Sequence, residues 1–326
     1  MGESVLITGA GGYIGSALVE AIAASKPSRI VLLDSSEHNL FQIQQQLELA
    51  SGAAAAQPVL GSLNDVELLG DIFARFEPDI VYHAAAFKHV PLLERNPMAA
   101  VRNNTIGTYR LAQAALRHGT GKLILVSTDK AVNPHSVMGV SKRIAELVVV
   151  ACRMNAIRLV NVIGSPGSVV PIFLKQIARG GPVTVTHPDA ARWFMTLEQA
   201  VHAILACGVS QVEGRILVPE VGEQTRIVDL AKSMIGEAAG SGNIPIAFTG
   251  CRPGDKLTEE ISLSHETKEG TIPGSLNVYR TCRLELRELE EIVERLSARI
   301  AARDVPGLIH TLVSVVPEYA PSDLFI

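Results

Sequence analysis

The first half of this 326-residue chain alternates short β-branched segments with longer segments of helical periodicity. Strands separated by helices need crossover connections, so this alternation restricts the chain to a parallel sheet covered by helices on both faces. We therefore predict an α/β fold with a doubly wound parallel sheet. The predicted strands are Ser4–Thr8, Arg29–Leu33, Gln57–Leu60, Asp79–His83, Lys122–Ser127 and Ile157–Val162, and the predicted helices are Ile14–Ser25, Asp65–Phe76, Met98–His118 and Val137–Asn155.

The alternation ends near Gly164, where turn-rich segments begin to separate shorter elements. We predict a first domain over residues 1–165 and a smaller lobe with C-terminal helices over residues 166–326. Residues 191–222 are expected to return to the first domain, because Arg215–Pro219 again has the composition of a buried strand. Apolar residues recur at helical spacing from Leu289 to Ile300, which indicates an amphipathic surface helix.

Composition and charge exclude several classes of protein. The formal net charge of -4 gives no basic excess for nucleic acid or an anionic membrane. The longest strongly apolar run, Leu147–Cys152, is far shorter than the about 20 residues that a membrane span needs. We expect no signal peptide before Ser4, and the four cysteines have neither CxxC spacing nor histidines at zinc-ligand spacing. We expect a cytoplasmic protein with buried or inert thiols and no metal site.

A glycine-rich turn follows the first predicted strand. Gly9, Gly12 and Gly15 allow a tight turn into a helix whose N-terminus can receive a pyrophosphate. Asp34 ends the next strand, where a carboxylate can accept hydrogen bonds from the ribose hydroxyls of NAD and repels a 2′-phosphate. This context predicts a Rossmann-type site for NAD rather than NADP. The alternative is that Asp34 caps a helix or lies in a loop, although Ser35 or Ser36 could serve as that cap instead.

Two further segments follow predicted strands. The small side chains of Ala84–Ala86 let the backbone lie against a flat ligand, or they reflect ordinary packing. Ser127-Thr128-Asp129-Lys130 places a hydroxyl, a carboxyl and an ammonium at the strand edge that faces the ligand crevice. Met138 and Lys142 lie four residues apart, on one face of the next helix. An exposed Asp129–Lys130 ion pair is the alternative interpretation.

These motifs resemble the extended short-chain dehydrogenase/reductase superfamily. Within it the chain is similar to the polysaccharide-biosynthesis (CapD-like) UDP-N-acetylglucosamine 4,6-dehydratases. The resemblance covers nearly the whole chain and is carried by His83–Glu94, Ser127–Pro134, Gly164–Pro171, Trp193–Thr196, Arg252–Leu257 and Val316–Tyr319.

The resemblance implies a reaction in which NAD+ takes hydride from sugar C4, water leaves across C5–C6, and the hydride returns to C6. It implies that Asp129 is the acid for the C6 hydroxyl and Lys130 the base for the C5 proton. Lys142 would bind the nicotinamide ribose, and Thr128 would hydrogen-bond the C4 oxygen. These roles lead us to expect a protonated Asp129 and a neutral Lys130, with opposed pKa shifts.

Two positions depart from the family pattern. Met138 stands where most short-chain dehydrogenases have the tyrosine that acts as C4 base, and a thioether cannot take a proton. Lys130, Asp129 or Lys142 acting through water remain candidates for that base. Leu159-Val160 precedes Asn161 where the family usually has Phe-Gly.

The resemblance also implies the residues of each site. The catalytic set is Thr128, Asp129, Lys130, Met138 and Lys142. The cofactor-binding set is Gly9, Gly12, Tyr13, Ile14, Gly15, Asp34, Ser62, Leu63, Ala84, Ala85, Ala86, Asn104 and Lys142. The set expected to bind a UDP-sugar is Lys88, Asn161, Ser168, Val169, Val170, Arg192, Arg226 and Arg252, of which Arg192 and Arg226 could equally be surface charges.

Two other functions stay open on the sequence alone. One is a UDP-sugar epimerase or a dehydratase that stops at a 5,6-alkene, and the other is a non-catalytic nucleotide-sugar-binding protein. Asp129-Lys130 argues against simple 4-epimerisation, which needs no C6 acid. A homo-oligomer is expected, with Met98–His118 and Val137–Asn155 pairing with their copies.

Overall fold

A computed structural model describes residues 3–49, 56–238 and 244–325. The first half of the chain alternates strands and helices as the sequence predicts. Its elements are β1 (Ser4–Thr8), α1 (Tyr13–Ala24), β2 (Arg29–Asp34), α2 (Glu37–Leu49), β3 (Ala56–Leu60), α3 (Val66–Phe76), β4 (Ile80–His83), α4 (Val90–Glu94), α5 (Pro97–Ala100), a π-helical segment (Val101–Ile106), α6 (Gly107–Arg117), β5 (Lys122–Thr128), a 3-10 turn (Asp129–Ala131), α7 (Val137–Ala151), β6 (Asn155–Leu159) and β7 (Asn161–Val162).

The second half has shorter elements and ends in two helices. Its elements are α8 (Val169–Ala178), β8 (Val183–Val185), β9 (Ala191–Arg192), β10 (Phe194–Met195), α9 (Leu197–Val209), β11 (Ile216–Pro219), β12 (Thr225–Arg226), α10 (Ile227–Glu237), β13 (Ile246–Phe248), β14 (Thr267–Ile272), β15 (Leu276–Arg280), α11 (Leu286–Ala301) and α12 (Val305–Val315).

One nine-stranded sheet organises the molecule, in the order β14-β15-β11-β6-β5-β4-β1-β2-β3. The strands from β3 to β11 are parallel, and this confirms the predicted doubly wound α/β fold. β14 and β15 form an antiparallel edge that the sequence analysis did not predict. The winding reverses between β1 and β4, so the carboxyl ends of these strands open a ligand crevice.

The central strands are buried on both faces, as parallel strands require. In β1, Leu6 packs on the side of α3, α6 and α7, whereas Val5 and Ile7 pack on the side of α1 and α9. A third, smaller cluster centred on Phe173 and Val183 holds α8, α10 and β8 together. The second half therefore carries a core of its own beside the large sheet.

Three predicted boundaries are wrong for identifiable reasons. The predicted helix Met98–His118 is divided into α5, the π-helical segment and α6. The predicted helix Val137–Asn155 ends at Ala151, because Arg153 adopts a left-handed φ of 59° and the chain then enters β6. The predicted strand Ile157–Val162 is divided, because β6 ends at Leu159 and the two residues of β7 pair with β10 instead.

Three expectations from composition can be compared with the structure. The amphipathic helix predicted from Leu289 to Ile300 is α11, and its apolar face is buried. Among the described residues, no helix has the length and apolar character needed to cross a bilayer. Of the thiols expected to be buried or inert, those of Cys152 and Cys207 are buried and those of Cys251 and Cys282 are exposed.

Candidate active site

The glycine turn after β1 packs directly on the segment after β4. Gly9 has φ of 68°, and a Cβ at this position would lie 2.7 Å from the backbone of Ala85. A Cβ at Gly15 would overlap the carbonyl oxygen of Gly9. Gly12 begins α1 without a side-chain cap, so the first N–H groups of α1 remain available. The turn thus leaves room for a ligand beside bare backbone and presents donors suited to an anion.

Asp34 closes the other side of this turn. Its Oδ2 accepts from the N–H of Gly11 at 2.9 Å, and its Oδ1 accepts from the N–H of Ser36 at 2.9 Å. Ser36 itself caps α2, since its hydroxyl accepts from the N–H of Asn39 at 3.3 Å. The alternative interpretation of Asp34 as a helix cap is therefore wrong. Each carboxylate oxygen keeps further acceptor capacity.

An open groove lies at the carboxyl ends of β1, β2 and β4. Among its lining residues are these members of the predicted cofactor set: Gly9, Gly12, Asp34, Ser62, Leu63, Ala84, Ala85 and Ala86. Tyr13, Ile14, Gly15, Asn104 and Lys142 do not line it. Tyr13 instead donates its hydroxyl to the carbonyl oxygen of Ile163 at 2.8 Å and so ties the glycine turn to the loop after β7.

Asn104 does not reach the groove as predicted. Its Oδ1 accepts from the N–H of Phe87 at 2.8 Å and from Nδ2 of Asn103 at 3.1 Å. Its Nδ2 donates to the carbonyl oxygen of Phe87 and to Oγ of Ser141, both at 3.0 Å. Because the side chain is fully buried and its hydrogen-bonding capacity is used, Asn104 fixes the Phe87 backbone, while Asn103 lines the groove.

A buried hydrogen-bond chain through His83 connects the carboxyl ends of β1 and β4, where the groove lies, to α6. His83 Nδ1 lies 2.7 Å from Oγ1 of Thr8, and its Nε2 lies 2.8 Å from Oγ1 of Thr108. Thr108 donates its only hydroxyl proton to the carbonyl oxygen of Asn104 at 2.6 Å. Nε2 must therefore carry the ring proton. Burial, with a smaller effect of Lys142, lowers the pKa of His83 to about 3, so the ring is neutral.

The Asp129–Lys130 pair lies at the carboxyl end of β5. Asp129 Oδ1 accepts from Oγ1 of Thr128 and from Nζ of Lys130, both at 2.9 Å. Lys130 Nζ also donates to Oδ1 of Asn161 at 3.1 Å. Asp129 Oδ2 is buried and has no hydrogen-bond partner within the described ranges. One oxygen of Asp129 is therefore held twice, and the other is left for a group outside the chain.

Glu259 completes this group, and the sequence analysis missed it. Its Oε1 lies 3.6 Å from Nζ of Lys130 and 3.4 Å from Nε of Arg192, and its side chain is 2% exposed. Burial by itself would lower the pKa of Lys130, but the carboxylates of Asp129 and Glu259 outweigh it and raise that pKa. The expectation of a neutral Lys130 is therefore wrong for the unliganded protein. We call Asp129, Lys130, Arg192 and Glu259 the reactive cluster.

Met138 and Lys142 lie on α7, next to the end of β5. Met138 is buried, and its thioether has no proton to exchange. Lys142 Nζ donates to the carbonyl oxygen of Val126 at 2.8 Å. Burial lowers the pKa of Lys142 to about 8, although Glu146 opposes the shift. Lys142 can therefore exchange its proton near neutral pH.

A second group of buried charges, also missed from the sequence, lies behind β5. Arg158 Nε donates to Oε1 of Glu146 at 2.9 Å, and Arg158 Nη1 donates to Oε2 of Glu266 at 2.7 Å. Arg143 Nη1 lies 3.1 Å from Oε2 of Glu146 and 3.4 Å from Oε1 of Glu266. Ser127 Oγ donates to Oε1 of Glu146 at 2.7 Å. We call Arg143, Glu146, Arg158 and Glu266 the saturated cluster.

Arg192, predicted to bind substrate, holds a loop. Its Nη1 donates to the carbonyl oxygen of Leu257 at 2.9 Å, and its Nη2 donates to that of Lys256 at 2.7 Å. Lys256 Nζ donates in turn to the carbonyl oxygen of Val132 at 3.2 Å, next to the 3-10 turn. These contacts dock the loop 252–260 on the end of β5.

The other predicted substrate residues are distributed around this end of the sheet. Arg252 is exposed, and Asp255 Oδ2 holds its Nε at 2.9 Å. Lys88 is exposed without a hydrogen bond or ion pair to any described residue, and partial burial lowers its pKa. Ser168 precedes α8, which begins with Val169 and Val170, and its buried hydroxyl has no described partner. Arg226 is exposed and donates to the carbonyl oxygen of Pro188 at 3.1 Å.

No group of three or more His, Cys, Asp or Glu side chains within residues 3–49, 56–238 and 244–325 could hold a metal ion. The end of β5 gathers the carboxylates of Asp129 and Glu259, the ammonium group of Lys130 and the guanidinium of Arg192, with Lys142 on the neighbouring helix α7.

Residues 5–279 match a sequence family described as polysaccharide biosynthesis protein. The chain is 43% identical over 273 residues to the probable polysaccharide biosynthesis protein EpsC of Bacillus subtilis, which covers 81% of the chain and 46% of the relative. The chain therefore spans about half the length of this relative.

Two relatives of more similar length carry different activities in their names. A UDP-N-acetylglucosamine 4,6-dehydratase (inverting) of Campylobacter jejuni is 32% identical over 79% of this chain and 76% of its own. A UDP-glucose 4-epimerase of Rickettsia canadensis is 32% identical over 81% of this chain and 79% of its own. Among solved structures, Pen from Bacillus thuringiensis is 25% identical with a TM-score of 0.78, over 92% of this chain and 98% of its own.

Proposed function

The chain belongs to the polysaccharide biosynthesis family of extended short-chain dehydrogenase/reductases, and from this premise we propose that it is an NAD-dependent UDP-N-acetylhexosamine 4,6-dehydratase. The product would be a 4-keto-6-deoxy UDP-sugar. The observation that carries the proposal is the Asp129–Lys130 pair at the end of β5, in which Asp129 keeps one buried oxygen without a described partner.

Elimination of water needs an acid for the departing C6 hydroxyl and a base for the C5 proton. In the unliganded pair the proton resides on Lys130, at 2.9 Å from Oδ1 of Asp129. One proton shift along this hydrogen bond converts the ion pair into a carboxylic acid and a free amine. Substrate binding favours this shift, because removing water from the pair disfavours both charges. The pair can thus supply the acid and the base together.

The glycine turn and Asp34 fit NAD. Bound at this turn, NAD+ would supply the reversible transfer of a hydride from C4 and to C6. Gly9 and Gly15 leave the turn free of side chains, and α1 offers its first N–H groups to a pyrophosphate. The acceptor capacity left on Asp34 suits ribose hydroxyls, and its charge opposes a 2′-phosphate.

Met138 cannot act as the base at C4, so another group must take that proton. Lys142 is the candidate we favour through a bridging water, because its lowered pKa of about 8 gives it a neutral fraction near physiological pH. Thr128, whose hydroxyl points to Asp129, would need to turn to reach the C4 oxygen.

The substrate's UDP group would lie along the second lobe. Arg252 offers an exposed guanidinium for the diphosphate, and Ser168 at the start of α8 offers an unpartnered hydroxyl. The division into a cofactor domain over residues 1–165 and a substrate lobe over residues 166–326 is part of the same proposal. So are a cytoplasmic location and a homo-oligomer.

A UDP-sugar 4-epimerase is the second candidate, and the Rickettsia canadensis relative supports it. Incubation of the purified chain with NAD+ and UDP-N-acetylglucosamine, followed by mass spectrometry, separates the two. A dehydratase lowers the mass of the sugar nucleotide by one water, whereas an epimerase leaves the mass unchanged and alters the sugar's NMR couplings. Thermal protection by the ligand without any product would instead identify a binding protein.

A further inference from the structure

We propose that Glu259 is a positioning residue for the dehydration proposed above: its carboxylate holds Lys130 against Asp129 and keeps the lysine protonated until substrate binds. The proposal rests on the proposed function for its role in turnover. Its physical part, the control of Lys130 by Glu259, can be tested on the protein without any activity.

The loop 252–260 places Glu259 rigidly. Gln224 clamps its backbone from both sides, since Gln224 Nε2 donates to the Glu259 carbonyl at 3.1 Å and Gln224 Oε1 accepts the Glu259 N–H at 3.4 Å. Arg192 holds Lys256 and Leu257 through their carbonyl oxygens. The Glu259 side chain is thereby directed into the site rather than to solvent, in contrast to the exposed Glu260 that follows it.

Glu259 supplies one of the two negative charges that act on Lys130. The charged groups that act on Lys130 are the anions Asp129 and Glu259 and the cation Arg192. Lys256 Nζ lies 3.8 Å from Oε2 of Glu259. His135 interacts electrostatically with Lys256 and with Glu259. Without Glu259, Lys256 would keep Glu260 as a counterion, whereas Asp129 would be the one anion left to act on Lys130 and Arg192. Of these two cations Lys130 is the more easily neutralised, because an ammonium loses its proton more readily than a guanidinium.

A purely structural role does not explain the arrangement. Glu259 Oε2 is buried and has no hydrogen-bond partner in the described part of the chain. A carboxylate kept only for stability would be expected to use both oxygens, since an unsatisfied buried acceptor is costly. Its carboxylate makes no hydrogen bond to any described residue, and its nearest cations are Arg192 Nε at 3.4 Å and Lys130 Nζ at 3.6 Å, so its effect on Lys130 is that of a fixed negative charge.

The test is the pH dependence of Lys130 acetylation by trace acetic anhydride, followed by peptide mass spectrometry. Lys130 is 22% exposed, which admits a small reagent, and only the neutral amine reacts. In Glu259→Gln we expect the midpoint of Lys130 labelling to fall by on the order of one pH unit, because one neighbouring anion is removed. The proposed dehydratase should show the same downward shift in the limb of its pH–rate profile that reports Lys130.

The matched control is Glu260→Gln, which removes the same charge from the adjacent, exposed position, 3.6 Å from Lys256. Its labelling midpoint should equal that of the wild type. Equal midpoints for wild type, Glu259→Gln and Glu260→Gln would overturn the proposal.

Should Glu259→Gln not fold, Glu259→Asp decides the question. Its carboxylate is retracted by one methylene, so the midpoint should move in the same direction by a smaller amount. An unchanged midpoint would again overturn the proposal. Absence of dehydratase activity in the wild type would overturn the proposed function and leave the labelling result standing.

Discussion

The reactive cluster and the saturated cluster both hold two buried carboxylates against two cations beside β5, yet they are built in opposite ways. In the saturated cluster every carboxylate oxygen of Glu146 and Glu266 accepts at least one hydrogen bond. In the reactive cluster Asp129 Oδ2 and Glu259 Oε2 accept none within the residues described. All buried carboxylate oxygens of the saturated cluster have hydrogen-bond donors. In the reactive cluster two of these oxygens lack a donor, which a ligand can supply.

Two adjacent residues of β5, Ser127 and Thr128, contact the two clusters. Ser127 donates to Glu146 in the saturated cluster, whereas Thr128 donates to Asp129 in the reactive cluster. Successive side chains of a strand point to opposite faces, so β5 carries both clusters back to back. The saturated cluster can thus fix the strand end on which the reactive pair must be aligned. Four substitutions or titrations test this division, from the largest effect to the smallest.

Asp129→Asn should have the largest effect, and it should fall on turnover. The amide can neither accept the shared proton nor deliver it to the C6 hydroxyl, so we expect a loss of about a thousandfold in water elimination. Single-turnover absorbance of reduced nicotinamide should show that C4 oxidation survives. The thermal midpoint should stay close to that of the wild type, because the amide keeps the shape of the side chain and its Oδ1 can still accept from Thr128 and Lys130, while Glu259 remains as a counterion of Lys130. Full turnover by this variant would remove Asp129 from the mechanism.

Glu146→Gln should instead destabilise the fold. The variant leaves Arg143 and Arg158, each no more than 2% exposed, with the single carboxylate of Glu266. Breaking a buried ion pair costs about 3 kcal/mol of folding free energy. Urea unfolding measures this change in free energy. Glu291→Gln, in the exposed pair with Arg287, is the control and should cost less than about 1 kcal/mol. Equal losses in the two variants would show that the saturated cluster does not stabilise the fold.

The clusters should respond to pH in opposite directions. Arg158 and Arg143 overcome the opposing effect of burial and lower the pKa of Glu146 below 4.5, so its contribution to stability is present above that pH and is lost in acid. The pKa of Lys130 is raised above 10.5, so its contribution is present below that pH and is lost in alkali.

Denaturant midpoints of wild type, Glu146→Gln and Lys130→Met across the pH range measure this difference. The gap between wild type and Glu146→Gln should narrow in acid, and the gap between wild type and Lys130→Met should narrow in alkali. Parallel curves for either variant would contradict the corresponding pKa shift.

The smallest effect is expected for a substitution of Glu260, on the exposed side of the loop 252–260. Glu260 is exposed, and its contacts are with Asn133 Nδ2 at 2.8 Å and Lys256 Nζ at 3.6 Å. Glu260→Gln should therefore change the free energy of unfolding by about 0.5 kcal/mol and leave turnover unchanged. A loss comparable to that of Glu146→Gln would extend the stabilising role to the loop 252–260.

The sequence predicted the fold because its signals are local. Runs such as Ser4–Thr8 and Lys122–Ser127 are apolar on both faces, and their helical connections leave only a parallel sheet. The family resemblance drawn from the motifs is confirmed as well. The antiparallel β14–β15 edge was not predicted, because β14 is largely exposed and lacks the apolar pattern of a core strand.

The site was predictable only where a motif fixes both residue and direction. The glycine turn does so, whereas two adjacent asparagines do not. Asn103 lines the groove, and Asn104 is buried with its amide bound to the Phe87 backbone and Ser141. In the same way Glu259 and Glu260 read alike in sequence. Anchoring of their loop by the distant Arg192 and Gln224 decides which one is buried.

The surroundings of Lys130 are assembled from both halves of the chain, with Asp129 from the first and Arg192 and Glu259 from the second. The proposed catalytic group can therefore not be transferred with one half of the chain alone. A chimera that exchanges the C-terminal half with that of a relative, in order to change sugar preference, also exchanges the counterions of the lysine. Designers of such hybrids should expect altered acid–base behaviour together with altered specificity, unless these positions are grafted back.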